Sequence, residues 1–158
     1  MTGTIEQQHT GKMVELITFY LGGSLYGIDI LEVKEINKLQ DWTSVPHSDE
    51  FVLGILSLRG SIVTIIDLGK KLSREQIDIT KDTRTVIVSS GGQQVGFLVD
   101  AIGSVTTIDW ERVCDPPANV NGIQGQFLEG VLKTDNDLIA ILDIKEVFKH
   151  AEANAQKS

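Results

Sequence analysis

Short apolar runs follow one another along most of the chain, and Gly, Asn, Asp or Ser separates them. Four pairs of runs meet at turn-forming residues, which is typical of β-hairpins. The pairs are Val14–Leu21 with Leu25–Ile30, Gly54–Leu58 with Ile62–Leu68, Thr85–Ser89 with Val95–Val99, and Gly130–Lys133 with Leu138–Ile144. Many short strands at regular spacing predict an all-β fold of the sandwich or small-barrel type.

Helical patterns are scarce. The sequence predicts short helical turns near Ser48–Val52 and Leu68–Leu72, and a C-terminal helix from about Ile144. Residues 1–12 have no usable periodicity, so we expect a flexible N-terminal tail, and we expect a second tail at residues 151–158. The folded part is therefore expected between these two tails.

The second half of the chain repeats the first. FVLGILSLRGSIVTIIDL aligns without a gap on FLEGVLKTDNDLIAILDI, and further upstream Gly27 aligns on Gly96. Identical residues are Phe51 and Phe127, Gly54 and Gly130, Leu56 and Leu132, Ile65 and Ile141, and Asp67 and Asp143. Each unit contains about five strands, which suffice for one small closed barrel but bury little apolar surface alone.

The repeat predicts how the folded part is divided. We expect residues 13–150 to form one domain of two five-stranded barrels packed together. Their approximate limits are 13–82 and 83–150, with a terminal strand that the two barrels can exchange. Packing the two units on each other gives each the apolar contact that it lacks alone.

Composition narrows the classes of function. The chain has 158 residues, of which 41% are hydrophobic and 23% charged, as in an ordinary soluble globular protein. Its net charge of −8 argues against binding to nucleic acid or to an anionic membrane surface. The single cysteine, Cys114, allows no intrachain disulfide, and no apolar stretch approaches the ~20 residues that span a bilayer. The N-terminus also lacks the apolar core of a signal peptide, so we expect a cytoplasmic protein.

Candidate catalytic residues each have a simpler structural explanation. Asp67 and Asp143 could form a carboxylate pair, but each precedes a short helix, where Asp is a common cap. Asp135–Asp137 resembles part of a calcium loop, yet the following Gly and the distant Glu are missing, which favours a hairpin turn. Cys114 has no evident base nearby, and the three histidines are scattered. The sequence therefore predicts no catalytic site, no metal and no cofactor.

Several motifs, in order along the chain, resemble the bacterial chemotaxis coupling family named CheW. In the first half they are Tyr26–Ile30, Val33–Ile36, Gly54–Gly60 and Ile65–Leu68; in the second half they are Val95–Asp100, Pro116–Pro117, Phe127–Gly130 and Ile141–Ile144. The resemblance covers nearly all of residues 14–148. The chain departs from the family pattern at Ser57, where Asn is usual, and at Thr64, where Pro is frequent. Both positions flank a turn, so the departures concern local geometry.

The resemblance implies a fold of two SH3-like barrels and a role as a non-catalytic scaffold. The implied partners are the cytoplasmic helices of methyl-accepting chemoreceptors and the regulatory domain of a CheA-type histidine kinase. The resemblance implies no cofactor, and we expect neither nucleic-acid binding nor direct membrane contact. The protein is expected to be a monomer in isolation and part of receptor arrays in the cell.

Two sets of surface residues carry over from the family. The receptor-facing set, expected in a groove between the barrels, is Val33, Glu35, Arg59, Ile102 and Val105. The kinase-facing set, expected on the first barrel, is Ile36, Leu39 and Val45.

Each carried-over role has a plainer alternative. Arg59 could be an incidental solvated residue in an Arg-Gly turn, and valines in strands are mostly core. The alternation predicts an extended strand in which Leu31, Val33 and Glu35 share one face and Glu32, Lys34 and Ile36 share the other, and neither face is purely apolar. Such a mixed face favours an edge or a groove.

Two other functions stay open from the sequence. One is a coupling protein of another receptor–kinase pathway, such as surface motility. The other is a small-ligand or enzymatic module on a double β-barrel, which would need a deep apolar pocket with perturbed acids.

Overall fold

The chain folds into β-strands joined by short turns and helices. A computed structural model describes residues 12–46, 50–73, 77–120 and 123–148. The strands are β1 Met13–Leu21, β2 Ser24–Asp29, β3 Val33–Lys38, β4 Val52–Leu58, β5 Ser61–Asp67, β6 Arg84–Ser90, β7 Gln93–Val99, β8 Ala101–Asp109, β9 Asn119–Val120, β10 Ile123–Gln124, β11 Leu128–Lys133 and β12 Leu138–Leu142. The four predicted hairpins are confirmed as β1–β2, β4–β5, β6–β7 and β11–β12.

The helical parts are short. An α-helix covers Leu68–Ser73, and residues 144–148 are helical, as the sequence predicts. Three 3-10 turns cover Ile30–Glu32, Trp110–Arg112 and Gly125–Phe127. The turn predicted near Ser48–Val52 lies partly outside the described residues, and β4 already begins at Val52.

Ten of the strands form two sheets of five strands with the same internal order. The first sheet runs β11-β12-β2-β1-β8 and the second runs β4-β5-β7-β6-β3. Each is closed by an antiparallel bridge beyond its last strand, between Cys114 and Val131 in the first and between Thr43 and Ile55 in the second. We call these closed sheets barrel A and barrel B. They confirm the all-β fold of two five-stranded barrels.

The barrels are assembled by exchange of a whole hairpin in each direction. Hairpin β1–β2 lies in barrel A beside β8 and β12, whereas hairpin β6–β7 lies in barrel B beside β3 and β5. The links explain the exchange: only Asp100 separates β7 from β8, and one 3-10 turn separates β2 from β3. A single residue is too short for β8 to return antiparallel beside β7. The chain therefore continues into the other sheet, and sheet membership does not follow the expected division at residues 82 and 83.

The internal repeat is visible in the hydrogen bonds. Strand β12 pairs parallel with β2, and β5 pairs parallel with β7 in the corresponding register. The amide of Asp67 donates to the carbonyl of Phe51 at 2.7 Å, and the amide of Asp143 donates to the carbonyl of Phe127 at 2.8 Å. The aligned sequence segments thus occupy equivalent positions in the two barrels.

The apolar core has three parts. One cluster fills barrel A, with Leu16, Ile139 and Ile141 among its members, and another fills barrel B, with Val63, Ile65 and Ile87. The largest cluster takes residues from both barrels and from the helical segments, including Phe19, Phe97 and Val147. We call this third cluster the inter-barrel layer. Because it contains the largest share of the buried side chains, the two barrels are stabilised together rather than separately.

Both repeat aspartates act as helix caps, as the sequence predicts. The Asp67 carboxylate is buried and accepts hydrogen bonds from the amides of Lys70 and Ile77, both at 3.0 Å. The Asp143 carboxylate accepts one from the amide of Glu146 at 3.3 Å. Neither aspartate is therefore part of a carboxylate pair of catalytic type.

A lysine joins the two repeats at the inter-barrel layer. The Lys71 ammonium group lies 4.5 Å from the ring centre of Phe51 and 5.2 Å from that of Phe127. These two phenylalanines are equivalent in the repeat, so one cation contacts the same position of both units. Such cation–π contacts are attractive and hold the helix Leu68–Ser73 against both barrels.

Candidate partner-binding surface

The tip of hairpin β4–β5 presents Arg59 in an unusual backbone conformation. Arg59 has φ +52° and Gly60 has φ +82°, the pattern of a two-residue turn that matches the twist of the flanking strands. Gly, Asn or Asp adopts positive φ more readily than Arg. Arg59 therefore has a backbone conformation that other residues adopt more easily. This favours a functional role for its side chain over an incidental one.

Glu35 on β3 holds the Arg59 side chain. An Arg59 Nη1 group donates to Glu35 Oε2 in an ion pair that joins the tip of β4–β5 to the edge strand β3. The Arg59 side chain remains 73% exposed, whereas that of Glu35 is 25% exposed. The ion pair thus fixes the direction of the guanidinium group while leaving its remaining N–H donors toward solvent.

A depression lies beside this ion pair. Its volume is about 340 Å³, and it is lined by Lys34, Glu35, Leu58, Arg59, Ser61 and Gln94. All of these residues belong to barrel B. Two cations, one acid and two uncharged polar groups against a single leucine make a polar surface, unlike the apolar cleft expected of a small-molecule site.

Val33 and Ile102 occupy equivalent positions in the two barrels. The alignment that places Gly27 on Gly96 also places Val33 on Ile102. Val33 pairs with Val88 on β6, Ile102 pairs with Phe19 on β1, and both side chains are half-buried against the inter-barrel layer. Val33 and Ile102 therefore contribute to the core, and only part of each side chain remains accessible to a partner.

A bulge in β8 separates Ile102 from Val105. The pairing of β1 with β8 changes register between Ile17 and Phe19, and the hydroxyl of Thr18 fills the irregular point. That hydroxyl donates to the Ser104 carbonyl at 2.7 Å and accepts from the Ser104 amide at 2.9 Å. Because a bulge redirects the strand beyond it, Val105 points outward and is 55% exposed.

The predicted extended strand from Leu31 to Glu35 is wrong at its beginning. Residues Ile30–Glu32 form a 3-10 turn, because the Asp29 carboxylate accepts a hydrogen bond from the Leu31 amide at 2.9 Å. Leu31 therefore does not share a strand face with Val33. It is 88% exposed, the highest value among the large apolar residues described as exposed. The sequence signal for this turn is Asp29, two residues before Leu31.

The receptor-facing set is only partly assembled. The structure joins Glu35 to Arg59 on barrel B and places Val33 and Ile102 against the inter-barrel layer, while Val105 lies farther along β8.

In the kinase-facing set, Ile36 and Leu39 are half-buried against the same inter-barrel layer. Val45 is half-buried in the segment between β3 and β4. The sequence analysis missed Lys34, Leu58, Ser61 and Gln94 as neighbours of the ion pair, since their proximity depends on closure of barrel B.

The acids whose pKa values are raised lie outside the depression. Burial raises the pKa of Glu129 to about 7, and the carboxylates of Asp143, Glu32 and Asp29 contribute, while Lys145 opposes the shift. The pKa of Glu32 is raised by burial and by the carboxylates of Asp29 and Asp143. Neither glutamate lines the depression.

Within the described residues no cluster of three or more metal-ligating side chains occurs, and no helix is long and apolar enough to cross a membrane.

Known proteins resemble this chain over most of its length. The CheW-like domain family matches residues 15–152. The chain is 34% identical over 145 residues to a chemotaxis protein CheW of Treponema pallidum, covering 89% of this chain and 85% of the relative. It is 32% identical to the chemotaxis protein CheW of Bacillus subtilis, covering 85% and 86%. The crystal structure of the scaffolding protein TtCheW from Thermoanaerobacter tengcongensis superposes with a TM-score of 0.80 at 37% identity, covering 89% and 90%.

Proposed function

The chain belongs to the CheW-like family of chemotaxis coupling adaptors, and from this premise we propose that it joins two specific partners. One partner is the cytoplasmic helical tip of a methyl-accepting chemoreceptor. The other is the regulatory domain of a CheA-type histidine kinase. The protein acts in the cytoplasm and performs no catalysis, so its mechanism is simultaneous binding.

The observation that carries this proposal is the Arg59–Glu35 ion pair at the rim of a polar depression. Arg59 adopts a positive φ that favours other residues, remains largely exposed and is oriented by an acid on the neighbouring strand. A preorganised guanidinium group can form paired hydrogen bonds with a carboxylate on a partner helix. Preorganisation lowers the entropic cost of that contact, which is what a recognition residue needs.

The receptor helix also needs an apolar contact. Val33 and Ile102 offer partly exposed apolar surface at the edge of the inter-barrel layer, and Val105 extends it along β8. Recognition of an amphipathic helix combines such an apolar strip with charged contacts at its margin. We therefore place the apolar stripe of the receptor helix on these three residues and one of its acids on Arg59.

The kinase is assigned to a different part of barrel B. Ile36 and Leu39 follow Val33 and Glu35 along the chain, and Val45 lies two residues beyond the bridge at Thr43 that closes the barrel. Separate surfaces allow both partners to bind at once. Each contact can be weak, because an array raises the effective concentration of every partner, and the favoured arrangement then sets kinase activity.

Arg59→Ala is expected to weaken binding to a receptor cytoplasmic fragment by about tenfold or more, since interface arginines often contribute over 1.4 kcal/mol. The unfolding free energy should change by less than about 1 kcal/mol because the ion pair is largely exposed. Isothermal titration calorimetry and urea unfolding measure the two quantities separately.

Lys70→Ala is the matched control. Lys70 is also a cation in a surface ion pair, at 3.7 Å from Glu50, but it lies on the helix Leu68–Ser73. It should leave receptor binding unchanged. If Arg59→Ala binds the receptor fragment as tightly as the wild type, the assignment of the receptor surface is wrong.

A further inference from the structure

A bulge in β3 brings the side chain of Lys34 to the depression beside the Arg59–Glu35 ion pair. The pairing of β3 with β6 changes register between Val33 and Glu35, so Lys34 is the extra residue of the bulge. The sequence predicts opposite faces for Lys34 and Glu35, as in a regular strand, yet both line the depression. The bulge therefore places a second cation on the same depression as Arg59.

The ammonium group of Lys34 is available to a partner. Lys34 is exposed, and within the described part of the chain its ammonium group forms no ion pair, whereas Glu35 is paired with Arg59. The other lining residues, Leu58, Ser61 and Gln94, are uncharged. Two cations against one acid make the depression a positive spot on a chain whose net charge is −8.

Barrel A contains the same bulge without a cation. The register change between β1 and β8 lies at the position of the repeat that is equivalent to the change between β3 and β6, and Gly103 aligns on Lys34. A Cβ atom at Gly103 would collide with the hydroxyl oxygen of Thr18, which is hydrogen-bonded to the carbonyl and the amide of Ser104 at 2.7 and 2.9 Å. Barrel A thus fills its bulge with a hydroxyl group from β1.

The hairpin tips of the two barrels also differ in charge. Asp135 aligns on Arg59, and Asp137 aligns on Ser61. The positions that line the depression in barrel B therefore hold two acids and no cation in barrel A. Since the same bulge and the same kind of hairpin form in both barrels, the fold does not require the two cations of barrel B. The residues of barrel A at the six positions are Gly103, Ser104, Thr134, Asp135, Asp137 and Leu25.

We propose that the depression binds two carboxylates of one receptor helix, the first at Arg59 and the second at Lys34, so that Lys34 is a further specificity-determining residue. The assignment rests on the proposed function, because it takes the receptor helix as the partner that reaches Arg59. It adds a requirement for a pair of acids, which a single contact at Arg59 does not impose. The long-range attraction of the positive spot also favours encounter with an acidic helix.

The depression defines the kind of helix that it fits. Residues three or four apart on a helix lie about 5–6 Å apart on one face, so two acids with this spacing point toward the same surface. The volume of about 340 Å³ holds roughly ten groups of the size of a water molecule, at about 30 Å³ each, which is enough for the ends of two acidic side chains. Val33, next to Lys34, belongs to the apolar strip assigned to the same helix, so the acids would flank its apolar stripe.

Lys34→Gln is expected to weaken binding to a receptor cytoplasmic fragment about three- to fivefold at low salt, the usual contribution of one exposed ion pair. In about 1 M salt, where the Debye length is about 3 Å, the difference should fall below about twofold. Lys34→Arg keeps the charge and should bind within about twofold of the wild type. Isothermal titration calorimetry at several salt concentrations measures these affinities.

Lys38→Gln is the matched control. Lys38 is an exposed lysine on the same strand, but it does not line the depression. Its replacement removes the same charge and should change the affinity by less than about twofold.

A charge exchange identifies the acid that Lys34 binds. Lys34→Glu should bind the unchanged receptor fragment more weakly than Lys34→Gln does, because two carboxylates then face each other. Each acid at the receptor tip is replaced by Lys in turn and tested with Lys34→Glu. We expect one replacement to restore binding, three or four residues from the acid that shows the same behaviour with Arg59→Glu.

The outcomes separate this assignment from the proposed function. If Lys34→Gln binds the fragment as tightly as the wild type while Arg59→Ala binds it more weakly, Lys34 has no part in recognition and only the paired-acid assignment is wrong. If neither variant loses affinity, the receptor surface itself is wrong. Equal losses for Lys34→Gln and Lys38→Gln, or a loss of affinity for the kinase regulatory domain in place of the receptor fragment, would also overturn the assignment of Lys34.

Discussion

Gly54→Ala is expected to lower the free energy of unfolding by about 3 kcal/mol or more, the range of severe overpacking. A Cβ atom at Gly54 would lie 2.2 Å from the Thr43 carbonyl oxygen and 2.7 Å from its carbonyl carbon. Both are backbone atoms, so a side-chain rotation cannot relieve the overlap. The same carbonyl accepts the Ile55 amide at 2.8 Å in the bridge that closes barrel B, and that bridge would have to open.

Gly60→Ala is the matched control for this prediction. Gly60 has a positive φ of +82°, but a Cβ atom there would meet no atom within 4 Å. The expected cost is therefore only about 1 kcal/mol of backbone strain. Urea unfolding followed by circular dichroism measures both variants. Equal costs for Gly54→Ala and Gly60→Ala would mean that closure of barrel B tolerates a side chain.

Asp67→Ala is expected to lower the free energy of unfolding by about 3 kcal/mol, because two amides lose a charged acceptor. The Asp67 carboxylate is buried and links the start of the helix Leu68–Ser73 to Ile77, ten residues farther along the chain. The Ile77 side chain belongs to the inter-barrel layer, so the loss reaches the core. Thermal unfolding at fixed pH measures the effect.

Asp143 provides an internal comparison at the equivalent position of the other repeat. Its carboxylate is half-buried and accepts a longer bond, at 3.3 Å, from the Glu146 amide, so Asp143→Ala should cost about 1 kcal/mol, as for an ordinary helix cap. If Asp67→Ala is no more destabilising than Asp143→Ala, the link from Asp67 to Ile77 has no role beyond capping.

The sequence predicts the local elements of this fold because hairpins leave local signals. Alternating apolar runs around Gly22–Gly23 and Gly91–Gly92 indicate strand pairs that need only neighbouring residues to form. The aligned Phe51 and Phe127 indicate a duplicated unit. The exchange of hairpins between barrels leaves no such signal, because alternation identifies the buried face of a strand but not its neighbour.

The candidate surface shows the same limit. Glu35 and Arg59 are far apart in the sequence, and their ion pair depends on how β3 and the β4–β5 turn meet when barrel B closes. The family resemblance names both residues but not their contact. Leu31 could have been placed correctly, since Asp29 is a typical start for a tight turn.

The most direct test of the adaptor role is whether two partners bind this chain separately and together. The purified protein is mixed with the regulatory domain of a CheA-type kinase, first alone and then with a receptor cytoplasmic fragment, and sedimentation velocity follows each mixture. Binding to the kinase domain without receptor, followed by a larger ternary complex when the receptor fragment is added, is the result that we predict. Failure to bind the kinase domain alone, or its displacement by the receptor fragment, would contradict an adaptor with two separate surfaces.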